Sequence, residues 1–286
     1  MSIDLKTKRE QVTCRLTELL ARPPLHQERL YEAAKHALVA GKRLRPIMLL
    51  LAVETLGYPL ELALNPACAI ECVHTYSLIH DDLPCMDDDD FRRGRPTAHR
   101  AYGEGLALLA GDFLLTYAFD LLAHAPHLSP TQKNQLTQIL SRRAGGRGMI
   151  AGQVVDLASE GKVISRKTLY FMHFHKTASL IIACFECAAI LASASPSDQK
   201  ILLEFGKRLG LAYQIADDIF DAAEENGQKN SDLKKEKATA VTVFGLAKAK
   251  ELLEMLHLSA LAKLQKLSKP APLLHSLANH LLERSF

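Results

Sequence analysis

The chain of 286 residues has no tryptophan and only 6% aromatic residues. It also lacks sustained alternation of apolar and polar positions, and no Asn-Gly or Asp-Gly pair joins two β-branched runs, so a sheet-rich fold is not expected. Strong charge of either sign is missing too. With 35 basic against 32 acidic residues the net charge is +3, and without a basic bias or a known module nucleic acid is not an expected partner. The six cysteines are scattered. Cys184-Phe-Glu-Cys187 has CxxC spacing, but neither a second such pair nor a His pair accompanies it, which argues against a metal or redox centre. The first ten residues carry no apolar signal core, and no uninterrupted apolar run is long enough to span a membrane. These absences lead us to expect a reduced, cytoplasmic, soluble protein.

What is present is helical. Hydrophobic residues make up 48% of the chain, and Leu and Ala dominate them, which favours helix. Helices are expected over about 4–20, 27–39, 47–55 and from Pro66 into an acidic cluster. Further ones cover about 102–123, 131–158, 166–192, Pro196 to Asp221, 240–266 and 272–283, with a polar loop over 224–237. Ser129-Pro130 and Ser195-Pro196 read as N-caps followed by proline at the first helical position. No linker or composition shift divides the chain, so residues 1–286 are expected to form one all-α domain of roughly ten or more helices.

Six aspartates fall between Asp81 and Asp90: Asp81, Asp82, Asp87, Asp88, Asp89 and Asp90. They follow an apolar run and precede Arg92 and Arg93. Clustered carboxylates repel one another and lose hydration on burial, so a cavity wall keeps them only against compensating cations. Mg²⁺ suits such oxygen ligands when phosphates are also present, and the arginines read as phosphate forks. On a regular helix Asp81 and Asp87 would point roughly 240° apart. Pro84, between them, has no N–H to donate. Leu83–Met86 is therefore expected to leave helical geometry so that the two carboxylates converge. Asp88, Asp89 and Asp90 acquire no role and read as a solvated turn.

A second set, Asp217-Asp218-Ile-Phe-Asp221, ends another apolar stretch, with Asp217 and Asp221 about 40° apart on one helix face. Gly206, Gly210 and Gln214 precede them on the same stripe, reading either as close packing or as room beside the helix. Two carboxylate sets facing one cavity could hold several Mg²⁺ ions around one diphosphate. Cations are also present. Gly41-Lys42-Arg43-Leu44-Arg45-Pro46 brings three of them to a helix start, a place already suited to anions. His74 lies two turns before Asp81 on nearly the same face, and Lys176 and Lys237 are further phosphate candidates.

On these residues the chain resembles the trans-type isoprenyl diphosphate synthases, most closely the bacterial farnesyl (geranyl) diphosphate synthases. The resemblance runs from Gly41-Lys-Arg-Leu-Arg-Pro through Glu71-Cys-Val-His-Thr-Tyr-Ser-Leu-Ile-His-Asp-Asp and Gly111-Asp112. It continues through Gly152-Gln153, Asp156-Leu157 and His175-Lys176-Thr177 to Gln214 and the Asp217 motif. It implies an all-α isoprenoid synthase fold around a deep central cavity, in a homodimer. Asp81, Asp82, Asp87, Asp217, Asp218 and Asp221 would then hold Mg²⁺ on an allylic diphosphate, contacted by Arg92, Lys176 and Lys237. Lys42, Arg45, His74 and Arg93 would hold isopentenyl diphosphate, and Thr177 and Gln214 would face the allylic cation. The implied reaction joins isopentenyl diphosphate to dimethylallyl and then geranyl diphosphate.

One motif departs from the family pattern. Where relatives have Gly-Lys-[Ser/Ala]-Thr-Tyr-Pro, this chain reads Glu236-Lys237-Ala238-Thr239-Ala240-Val241, after a shorter loop, and it ends in Arg284-Ser285-Phe286 where some relatives place extra basic residues. In the family, an aromatic five residues before the first Asp, together with the two-residue insertion, marks enzymes that stop at farnesyl diphosphate. Here those positions are Tyr76, with Ser77 beside it, and farnesyl diphosphate is the expected product; geranyl or geranylgeranyl diphosphate is the alternative. A class I terpene cyclase would carry a different second metal motif, and a silent prenyltransferase-like subunit would have lost one Asp motif.

Overall fold

The computed structural model describes residues 4–39, 41–224 and 237–282. The expected loop before Lys237 and the C-terminal Arg284-Ser285-Phe286 lie outside them. The described chain is all-α apart from one small hairpin, and it divides into two compact units, residues 4–50 with 59–137, and residues 51–58 with 138 onward.

The first unit holds helices α1 (Leu5–Leu19), α2 (Glu28–Leu38), the start of α3 (Leu44–Thr55), α4 (Leu60–Asp81), α5 (Ala98–Tyr102), α6 (Glu104–Ala123) and the start of α7 (Pro130–Ala144). Helix α4 is its centre. Thirteen of its residues are buried, from Ala63 to Ile79, because small and apolar side chains occupy nearly every face instead of a single stripe. Pro66 lies inside this helix rather than at its start. At the N-terminal end, Arg15 of α1 donates from Nε to Asn65 Oδ1 at 2.9 Å. At the C-terminal end, glycine at 111 lets α6 close onto α4, since a Cβ there would run into the His80 ring.

Strands β1 (Phe91–Arg92) and β2 (Arg95–Pro96) form the hairpin, which the sequence reading missed. Its turn residues Arg93 and Gly94 both have positive φ, 54° and 73°, the requirement of the two-residue turn that matches strand twist. Arginine is an uncommon occupant of the first of these positions, which is why no turn signal stood out.

The second unit holds the end of α7, α8 (Met149–Ser159), α9 (Arg166–Met172), α10 (Ser179–Leu191), α11 (Pro196–Glu224), α12 (Ala240–Phe244), α13 (Leu246–Leu264) and α14 (Pro272–Leu282). The single helix expected over 131–158 is broken at Gly145–Gly148; at Gly148 a Cβ would collide with the Arg143 carbonyl. Between α9 and α10 the chain stays helical but widens into a π-helix, His173–Ala178, which sequence periodicity did not reveal. Helix α11 is central here. Its glycine stripe is close packing and not an open gap: Gly206 meets Phe185 and Ile182, and Gly210 meets Ala178 of the π-helix. On another face Ala212, Ile215, Ala216 and Ile219 pack with Ala240, Ala249 and Leu253.

Both serine caps form as expected, with Ser129 Oγ accepting from the Gln132 N–H at 3.2 Å and Ser195 Oγ from the Asp198 N–H at 3.1 Å. Two helical stretches, Glu104–Ala123 and Arg166–Leu191, are long and apolar enough to cross a membrane by composition alone. The apolar window of the second is 72% buried within the fold, as a core helix requires; the first carries Asp112 and Asp120.

Candidate active site

In the first unit, helix α4 ends at Asp81 and the chain then leaves helical geometry. Met86 N–H returns to the Leu83 carbonyl at 2.8 Å, and Asp87 N–H to the Asp81 carbonyl at 2.7 Å. The main chain thus leaves the helix where expected and returns residue 87 to residue 81. Asp82 points elsewhere. It is buried and accepts from Arg92 Nε at 2.6 Å, while Arg92 also reaches Asp89 at 3.4 Å. Burial raises the Asp82 carboxyl above its ordinary value, and the Arg92 hydrogen bond opposes that rise. Asp89 and Asp90 are therefore more than a solvated turn: Asp89 shares Arg92, and Asp90 pairs with Arg100.

Behind this loop lies a cationic cluster. Arg45 Nη1 sits 3.2 Å from His74 Nε2, and burial, then Arg45, Arg93, Arg92 and Arg43, hold His74 far below the usual histidine pKa. A neutral His74 can accept from Arg45, leaving the guanidinium charge directed at an anion. Lys42 is exposed beside it. Arg43 does not belong with the other two cations of its segment. It turns inward, 4% exposed, and binds Glu71 at 2.7 Å and the Leu38 carbonyl.

One turn below Asp81, Tyr76 is 5% exposed and stacks edge-on against His80, with ring centroids 5.7 Å apart. Its phenol is pushed up to about 12 by burial and by the Asp81 charge. The Tyr76 hydroxyl has no hydrogen-bond partner among the described residues. Ser77 Oγ donates back to the His74 carbonyl at 2.8 Å.

In the second unit the π-helix carries Lys176 and Thr177. Glycine at 152 lets α8 touch the π-helix backbone at Lys176, and Lys176 Nζ pairs with Asp156 of α8. Thr177 Oγ donates to Gln214 Oε1, and Gln214 Nε2 donates to Asp218 Oδ1 at 2.9 Å. The other oxygen of Asp218 accepts the Ala240 N–H at 2.6 Å and lies 3.4 Å from His173 Nε2. Burial pushes Asp218 up to about 7 and His173 down to about 4. Asp218, expected to ligate metal, is thus held from two sides, by the Gln214 amide on one oxygen and by the start of α12 on the other. Asp221 and Lys237, with Lys162 and Thr239, line a cavity of about 530 Å³, while Asp217 is half-buried one position before Asp218.

Among the described residues no three His, Cys, Asp or Glu side chains gather into a closed cage. Mg²⁺ does not need one, because it retains water and takes one or two carboxylates plus phosphate oxygens. In the first unit the half-buried Asp81 and Asp87, and in the second Asp217 and Asp221, are hard oxygen donors of the kind that ion takes.

Comparison with known proteins agrees with this chemistry. The polyprenyl synthetase family model matches residues 27–270. The chain belongs to the polyprenyl synthetase family. It is 45% identical over 232 residues to the farnesyl diphosphate synthase of Geobacillus stearothermophilus, covering 79% of this chain and 78% of that one. A chloroplastic geranylgeranyl pyrophosphate synthase of Arabidopsis thaliana is 41% identical over 266 residues, 90% of this chain and 76% of the plant protein. Among solved structures, an FPP/GFPP synthase from Zymomonas mobilis superposes with a TM-score of 0.88 at 36% identity, over 99% of this chain and 100% of that one. A geranyltransferase from Helicobacter pylori, complexed with magnesium and isoprenyl diphosphate, gives 0.81 at 35% identity, over 99% and 98%. As a polyprenyl synthetase the chain is an all-α, prenyl-transferring enzyme. Sequence reading quoted Asp156 and Glu71 within motifs without a role for either, grouped Arg43 with the anion-facing cations and Asp89 with a solvated turn, and did not single out His173. Glu71 left a further signal, as a charge within the apolar run of α4.

Proposed function

We propose that the chain is a Mg²⁺-dependent farnesyl diphosphate synthase that adds isopentenyl diphosphate to dimethylallyl and then geranyl diphosphate. The observation that carries this reading is the closure of the Asp87 backbone onto Asp81, which brings two acidic residues together at the end of a helix whose preceding turns carry His74. Residues 1–286 act in it as one catalytic domain, assigned to the cytoplasm as a homodimer; exposed Leu108 and Leu109 on α6 support a partner copy.

Asp81, Asp87, Asp217 and Asp221 are assigned to the metal, with Asp82 and Asp218 positioned behind them by Arg92 and by Gln214. Mg²⁺, several ions in this reading, supplies charge neutralisation for the departing diphosphate. Arg92, Lys176 and Lys237 bind that diphosphate as its charge develops. Lys42, Arg45, His74 and Arg93 hold isopentenyl diphosphate so that its double bond attacks the allylic carbon as the carbon–oxygen bond breaks. The Lys176–Thr177 backbone and the Gln214 amide direct oxygen dipoles at the allylic cation, and apolar walls keep water away from it. The proton lost from the new chain goes to the departing diphosphate, so no dedicated side-chain base is assigned.

Tyr76, with Ser77, sets the product at farnesyl diphosphate. Geranylgeranyl diphosphate is the second reading, favoured by similarity to the plant enzyme. Asp81→Ala and Asp217→Ala test the assignment: each is expected to lower turnover by orders of magnitude in a protein that still folds, and near-normal rates would refute it.

A further inference from the structure

His99 stands outside every role given so far, yet it is only 6% exposed and close enough to Asp82 of the Asp82–Arg92–Asp89 clamp to act on its charge. Its Nδ1 is 3.2 Å from Thr97 Oγ1. Thr97, 2% exposed, has a single hydroxyl proton, and that oxygen reaches the Asp89 carbonyl at 2.8 Å. A carbonyl only accepts, so Thr97 donates to Asp89 and must accept from His99. The ring is therefore protonated on Nδ1. In the neutral ring Nε2 is then bare, and that atom is buried without a partner among the described residues. The Thr97 N–H donates in addition to the Asp90 carbonyl at 3.0 Å. Thr97 thus ties down two successive residues of the acidic loop, the first of which shares Arg92 with Asp82.

Resting on the functional reading above, we infer that His99 is a positioning residue: its Nδ1–H fixes Thr97, Thr97 fixes Asp89, and Asp89 with Asp82 holds Arg92 where the allylic diphosphate is bound. The chain of contacts touches neither Arg45 nor His74 and reaches the isopentenyl diphosphate set only through Arg93, the neighbour of Arg92 in the hairpin turn, so that site should feel the change less.

Two measurements test this. The first is the ¹⁵N spectrum of the His99 ring in metal-free protein, assigned by its disappearance in His99→Asn. A protonated Nδ1 with a bare Nε2 is expected, and the opposite tautomer would overturn the inference. The second is the pair of Michaelis constants for geranyl and isopentenyl diphosphate. His99→Ala and Thr97→Val should each raise the geranyl diphosphate constant by about tenfold or more, and the isopentenyl diphosphate constant by clearly less. His99→Asn puts an N–H where Nδ1–H stands and should restore the wild-type value, whereas His99→Gln, whose amide reaches the Nε2 position, should not. Equal loss in the Asn and Ala variants, or parallel movement of both constants, would overturn the inference. A wild-type protein that forms no elongated product would overturn the functional reading instead, and the ring spectrum would still decide the tautomer.

Discussion

The backbone N–H of Asp87 donates to the carbonyl of Asp81 at 2.7 Å, although six positions separate them. In a continuing helix that carbonyl would have taken the N–H of Cys85. The chain instead steps out past Pro84 and returns, and the closing bond joins two main-chain atoms. Asp87→Ala keeps that N–H and removes only the carboxylate. Turnover should fall on the order of a hundredfold or more, with the circular dichroism spectrum and thermal midpoint unchanged. Steady-state kinetics beside a melting curve checks this; a rate near wild type would remove Asp87 from the metal set.

Tyr76 separates packing from product length. Its buried hydroxyl is unpartnered among the described residues, so Tyr76→Phe removes a polar atom that gains nothing from burial and should leave stability equal or higher. It should also leave the product at farnesyl diphosphate. Tyr76→Ala should cost about 3–5 kcal/mol of stability and admit longer chains. Product chromatography decides: an unchanged product from the Ala variant, with Ser77 intact, would remove Tyr76 as the floor.

His74 predicts a pH dependence of stability. Its folded pKa lies well below the ordinary 6.5, first because of burial and then because of the surrounding arginines. As pH falls through 6.5 the unfolded chain takes up a proton that folded His74 refuses, so the unfolded state binds more protons and stability is lost. His74→Gln carries no titrating group. The difference between wild type and this variant in urea midpoint should therefore shrink with falling pH below about 6.5 and stay constant above it. A difference independent of pH would contradict a neutral His74.

Arg43 and Glu71 form an ion pair with side chains 3% and 1% exposed. Removing one partner strands a buried charge, so Glu71→Gln should cost about 3–5 kcal/mol, read from urea unfolding. Replacing both partners with methionine and leucine should recover most of that loss. A Glu71→Gln variant within about 1 kcal/mol of wild type would mean that Arg43 reaches water.

Much of this was legible in the sequence because it is local. The Asp81–Asp87 spacing with Pro84 between them foretold the loop, and the serine–proline pairs foretold two helix starts. The contributions that went unread depend on distant partners. Gly206 and Gly210 could have signified a gap or a contact, and only Phe185, Ile182 and Ala178 resolve them as contacts. Asp218 looked equivalent to Asp217 in the sequence, and only the fold shows that it also accepts the Ala240 N–H, 22 residues on. The π-helix at His173–Ala178 leaves no periodic trace, since its one extra residue is absorbed within a continuous apolar helix.

The most direct test incubates purified protein with Mg²⁺, labelled isopentenyl diphosphate and geranyl diphosphate. Farnesyl diphosphate is expected as the main product, and its formation should cease when a chelator removes the metal. No elongated product from any allylic primer, or elongation undiminished by the chelator, would contradict the account.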